Sequence, residues 1–121
     1  MGKDQTITVD SESDVILART QVRDLARALG MNLADQARVS LATSSLAKAL
    51  GLGGMYRGQM TIESCCAGKR TGVRVVCAKN DDARYDLAPG AFGETKWLVD
   101  ELTLAPLPSN GLQVTLIKWL G

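Results

Sequence analysis

Residues 33–54 read LADQARVSLATSSLAKALGLGG, and the fold turns on how this stretch is read. Leu33, Ala37, Leu41, Leu46 and Leu50 recur near helical spacing, which predicts one helix with a single buried stripe. Asn32 stands at the N-cap position, and Asp35 three residues on completes an acidic capping box. Gly51, Gly53 and Gly54 follow the last leucine; they predict a helix stop and a mobile loop.

Upstream, residues 5–9 alternate as a short strand, and Ser11 with Asp14 caps a second helix. Val15, Ala18, Val22, Leu25, Ala26 and Leu29 form its apolar face, and Gly30 ends it. Downstream, residues 59–66 predict a strand with Met60, Ile62 and Ser64 on one face and Thr61, Glu63 and Cys65 on the other. Residues 67–72 read as a hairpin loop and 73–78 as a central apolar strand. A polar loop opens at Asn80 and lasts to about Gly90. Residues 94–102 predict a third helix that buries Trp97, followed by a short strand at 103–105. Residues 112–119 alternate again, setting Leu112, Val114, Leu116 and Lys118 against Gln113, Thr115, Ile117 and Trp119. The order β-α-α-β-β-α-β-β predicts a single domain over residues 1–121. Its fold class is α+β, a two-layer sandwich with helices on one face of a mixed four- to five-stranded sheet.

Composition removes several function classes. The chain has 121 residues, 45% apolar and 22% charged, enough for one domain with its own core. A net charge of +1, with scattered basic residues, gives no field to draw it to nucleic acid or an anionic membrane. Histidine is absent, which removes the commonest general base and metal ligand. Cys65, Cys66 and Cys77 form no C-x-x-C pair and read as reduced structural thiols. The first ten residues lack a signal-peptide core, and no window reaches the length of a membrane span, so a cytoplasmic protein is expected. Asp81 and Asp82 read as solvated turn formers. Ser44 and Ser45 have no base at a motif spacing, and the glycines after Leu50 lack the ending of a P-loop.

Four segments carry a family signal: Asp35-Gln36-Ala37-Arg38; Gly54 with Gly58-Gln59; Leu98-Val99-Asp100-Glu101-Leu102; and Asn110-Gly111-Leu112-Gln113-Val114-Thr115-Leu116-Ile117-Lys118-Trp119. With the element order, they make the chain resemble the anti-sigma-factor serine kinases, within the histidine-kinase-like (Bergerat-fold, GHKL) ATPases, from Ile7 to Trp119. That resemblance implies a nucleotide site on the second helix. In the family the helix carries a Glu as general base and an Asn that holds Mg²⁺, and an Asp after the central strand accepts the adenine amine. Here Ser45 stands at the Glu position, Ala49 at the Asn position and Lys79 at the Asp position. A lysine cannot accept a hydrogen bond from that amine. A register slip would bring in Asn80 or Asp81 instead. Gly90 and Gly93 are what remains of the second glycine cluster. Lys48 matches a basic residue before the Asn, and Thr115 a threonine near the adenine.

The resemblance therefore implies a degenerate site: no catalytic residue, no metal and no cofactor, with ATP and Mg as the alternative. Phe92 and the loop before it are expected to narrow the cavity, and Lys79 to face solvent or pair with Asp81 or Asp82. The expected role is a regulatory protein-binding module, a pseudokinase, in a bacterial partner-switching pathway that controls transcription. Its implied partners are a STAS-type antagonist, a phosphatase domain or a sigma factor. The contacts expected from the resemblance are Arg19, Arg23, Met55, Tyr56 and Arg57, and a homodimer is left open. The alternatives are an active serine/threonine kinase acting on a STAS-type antagonist, and a structural dimerisation domain.

Overall fold

The computed structural model describes residues 5–54, 56–79, 90–108 and 111–121. The elements run β1 (Gln5–Val9), α1 (Glu12–Ala28), α2 (Leu33–Ala49), β2 (Gly58–Ala67), β3 (Arg70–Lys79), α3 (Gly93–Leu98), β4 (Glu101–Leu107) and β5 (Gly111–Trp119). The expected order holds, and so does the α+β class.

Local chemistry sets the two long helices. The Asp14 carboxylate accepts the backbone N–H groups of Asp10 (2.9 Å) and Ser11 (3.1 Å) where α1 begins. These donors hold the Asp14 carboxyl below its usual range. Asn32 caps α2, its side chain accepting from Asp35 N–H at 2.8 Å. Gly30, at φ +88°, turns the chain between the two helices in a conformation that side chains resist.

The five strands lie in the order β1-β2-β3-β5-β4, and all four pairings are antiparallel, where a mixed sheet was expected. The α1–α2 pair explains this. One crossover helix would return the chain parallel to β1, whereas two helices in succession bring it back reversed. The β2–β3 hairpin is tighter than expected: Ala67 pairs with Arg70, leaving Gly68 (φ +63°) and Lys69 as the turn. β3 is central, as expected, between β2 and β5.

The core lies between the helices and one sheet face. Ala18, Val22 and Ala26 from α1 and Val39, Ala42 and Leu46 from α2 meet Val9, Met60, Val73, Val75, Cys77, Val114 and Leu116, all fully buried. Each large aliphatic side chain in that set contributes about 2 kcal/mol by leaving water. The phase of α2 differs from the expected stripe. Leu46 and Leu50 are buried, but Leu33 (75% exposed), Leu41 and Ala37 face outward. The buried arc instead runs through Asp35, Gln36, Val39, Ser40, Ala42, Thr43, Leu46 and Ala47. Its polar members are satisfied: Gln36 Nε2 donates to the Met31 carbonyl at 2.7 Å, and Thr43 Oγ1 to the Val39 carbonyl at 2.8 Å. Apolar spacing alone could not find an arc that includes bonded polar groups.

α3 is a short helix, not the nine-residue one expected. Val99 is already extended (φ −130°, ψ 170°), and Asp100 N–H donates to the Ile117 carbonyl at 3.0 Å, so the chain is drawn into β4. The expected burial of Trp97 fails with it. Thr95 is the buried residue of α3, and Trp97 is 89% exposed. In this six-residue helix the small Thr95 and the half-buried Leu98 turn toward the core, which leaves Trp97 between them on the outer side.

Candidate functional site

The residues expected to form one site lie in three places. Ser45 and Lys48 lie on the C-terminal half of α2. The Ser45 hydroxyl is within 3.0 Å of the Thr95 hydroxyl, so a side-chain hydrogen bond ties α2 to α3 where the resemblance implies a general base. Thr95 is fully buried, and Phe92 packs against the core just before α3. Lys48 is exposed and Ala49 half-buried, one turn beyond Ser45. Gly90 (φ +76°) and Gly93 shape the entry to α3. Thr115 is elsewhere. It pairs with Val76 and Thr103 on the sheet face turned away from the helices.

Lys79 does not face solvent, the first of its two expected arrangements. It is the last residue of β3 and 2% exposed, and its Nζ stands 3.5 Å from the centroid of the Tyr56 ring. The ring face is the negative end of its quadrupole, so it stabilises the ammonium that burial would otherwise penalise. Asp81 and Asp82, its other expected partners, lie outside the described residues, as do Asn80 and Met55.

The glycine loop is built, not loose. Gly51 (φ +71°) and Gly53 (φ +82°) wind it, and Tyr56 N–H donates to the Gly51 carbonyl at 3.1 Å. Leu52 is buried in the core. The loop, α1 and α2 enclose an open groove of about 750 Å³, whose lining includes Val15, Ile16, Arg19, Leu41, Ser45 and Lys48. Ile16 and Leu41 are exposed beside the exposed Arg19, with Arg23 one turn further along α1. Arg57 is bound to Asp10 at 2.7 Å, and Tyr56 is half-buried. Among the described residues, no cluster of three or more His, Cys, Asp or Glu could hold a metal. No helix among the described residues is long and apolar enough to cross a membrane.

The family-like segments converge on contacts of another kind. Asp100 accepts from the Trp119 backbone N–H at 2.7 Å and from Lys118 Nζ at 3.3 Å, and Glu101 accepts from Trp119 Nε1 at 2.7 Å. Lys118 also reaches Asp35 at 3.7 Å, and Asp35 binds Arg38 at 2.8 Å. Burial pushes the Asp35 carboxyl up, but the Arg38 hydrogen bond and the Lys118 charge together hold it below its usual range. Three of the four segments thus meet in one clasp. In the remaining one, Gly58 lets two strands approach: a Cβ there would meet the Ala78 carbonyl at 2.5 Å. Sequence reasoning had the motifs but not this purpose. The acids of one and the Lys-Trp of the other were the available signal.

No family model matches the chain. It is 27% identical, over 135 aligned positions covering 99% of each chain, to the serine/threonine-protein kinase RsbT of Bacillus subtilis (strain 168). Its fold superposes with a TM-score of 0.68 on the crystal structure of the RsbU and RsbW domains of Rv1364c from Mycobacterium tuberculosis. That match, at 19% identity, covers 98% of this chain and 33% of that one, so the chain spans a third of that protein. Over its whole length, then, the chain is similar to the anti-sigma-factor serine kinases and carries their histidine-kinase-like fold.

Proposed function

We propose that this chain is a regulatory protein-binding module of a partner-switching, anti-sigma type of pathway that no longer uses its nucleotide site. The carrying observation is the joint state of three positions: Ser45 bonded to Thr95, Ala49 without a polar group, and Lys79 buried under Tyr56. A magnesium ligand, a base and a purine-amine acceptor are lost together there, which argues against simple drift at one position. Calorimetry and thermal shift with Mg-ATP test this, because a ligand of the native state raises its stability. No shift is expected at millimolar nucleotide; saturable micromolar binding overturns the reading.

The groove supplies the binding role. Exposed Ile16 and Leu41 beside basic Arg19 and Arg23 suit a partner surface with an apolar centre and charged rim. We place the module in the cytoplasm, with a STAS-type antagonist, a phosphatase domain or a sigma factor as partner. Ile16→Asp with Arg19→Glu should leave Tm unchanged, since both side chains are exposed, and abolish binding to those purified proteins from the same genome. Binding unaffected by the pair moves the interface elsewhere. One observation favours a second reading, an active serine/threonine kinase: the whole-length match is to a protein of that name. Phosphate transfer from labelled ATP to a purified STAS-type protein decides between the two.

A further inference from the structure

Tyr56 holds the glycine loop in three ways. Its backbone closes the loop: its N–H donates to the Gly51 carbonyl (3.1 Å), and its carbonyl accepts from Gly53 N–H (3.2 Å). Its ring rests on Gly51, where a Cβ would come within 2.8 Å of the ring edge. The buried Lys79 ammonium stands over the same ring, which ties the loop to the central strand of the sheet. Gly53 then seats against α1, where a Cβ would lie 2.9 Å from the Ser11 carbonyl and 3.1 Å from Val15. A loop with three glycines has many conformations to lose, so something specific must select this one.

We propose that Lys79 and Tyr56 form a cation–π latch that fixes the glycine loop as a preformed wall of the groove. Gly51, Leu52, Gly53 and Gly54 all line that groove, so the state of the latch sets its shape. The significance of the latch rests on the groove being the partner site; its existence does not. It also gives Lys79 a role at the position where the resemblance implies a base-recognising carboxylate. The ammonium and the ring serve each other there instead of a ligand.

Amide hydrogen exchange on the free protein, without partner or nucleotide, tests the latch. Tyr56→Phe keeps the ring face, Tyr56→Leu removes it, and Lys79→Met keeps the length of the side chain but removes the charge. In Tyr56→Leu and Lys79→Met, exchange at Gly53 and Tyr56 (or the residue replacing it) should rise about tenfold, whereas Tyr56→Phe should stay within about twofold of the parent. The core amides of Val39 and Leu46 in α2 are the reference. An equal rise there is global loosening and overturns a local latch. So does unchanged exchange at the loop in both latch variants, or a Tyr56→Phe variant as loose as Tyr56→Leu. Failure of the groove reading shows separately, as absent binding to the purified partner classes while the latch variants behave as stated.

Discussion

At the scale of single residues, burial decides which groups are free to act. Burial pushes the Cys77 thiol up to about 12 and the Cys65 thiol above its usual range, while Cys66 is exposed. The thiolate is the reactive form, so one of the three cysteines should alkylate with iodoacetamide at pH 8 in the folded protein. All three should react in denaturant, and mass counting distinguishes the two. Asp35 gives a pH signature of the opposite sign. Its carboxyl is held below its unfolded value, so its contribution is present above that value and disappears as pH falls through the folded one. Asp35→Ala, which removes the Arg38 and Lys118 pairings and the Asn32 hydrogen bond, should cost about 2 kcal/mol at pH 7. The gap between parent and variant should close below pH 4 in urea melts. A gap independent of pH would mean that the side chain acts only through packing.

At the scale of elements, the glycine loop makes the firmest prediction. Gly53→Ala combines a strained φ of +82° with a Cβ 2.9 Å from the Ser11 carbonyl, so it should cost about 2 kcal/mol or more. Gly90→Ala has the same kind of φ but open space around it, and should cost only about 1 kcal/mol. Thermal melts of the two order the effects. The same elements show where the sequence was readable. Caps, stops and alternation are local, so Ser11, Asn32, Gly30 and the strands of the sheet could be placed from neighbours in the chain. The phase of α2 could not, because its buried arc is defined by α1, α3 and β3, which lie beside it only in the folded state. Leucine spacing pointed to Leu33 and Leu41, which both face outward, and Leu41 lines the groove. The short α3 and its exposed Trp97 were hidden for a similar reason: Asp100 is claimed by β5, about 18 residues further along the chain.

At the scale of the molecule, architecture and chemistry separate. The Asp100–Lys118, Asp100–Trp119 and Glu101–Trp119 contacts, with Lys118 reaching Asp35, fasten the last strand to α2 and the α3–β4 junction. They work with or without a nucleotide, so the fold can persist while the site changes. That makes a stringent experiment of restoring the family pattern through Ser45→Glu, Ala49→Asn and Lys79→Asp together. Glu at position 45 must displace the Thr95 hydrogen bond that joins α2 to α3. Asp at position 79 places a carboxylate in a buried strand position and removes the cation from the face of Tyr56. The two changes should lower stability by several kcal/mol, since an uncompensated buried charge alone costs about 3–5 kcal/mol. The triple variant should therefore melt well below the parent, transfer no phosphate to a STAS-type protein, and regain none when Mg-ATP is raised. Stable folding with measurable turnover would show that Tyr56 and Thr95 yield readily, and that three side chains are all that divides this chain from an active kinase.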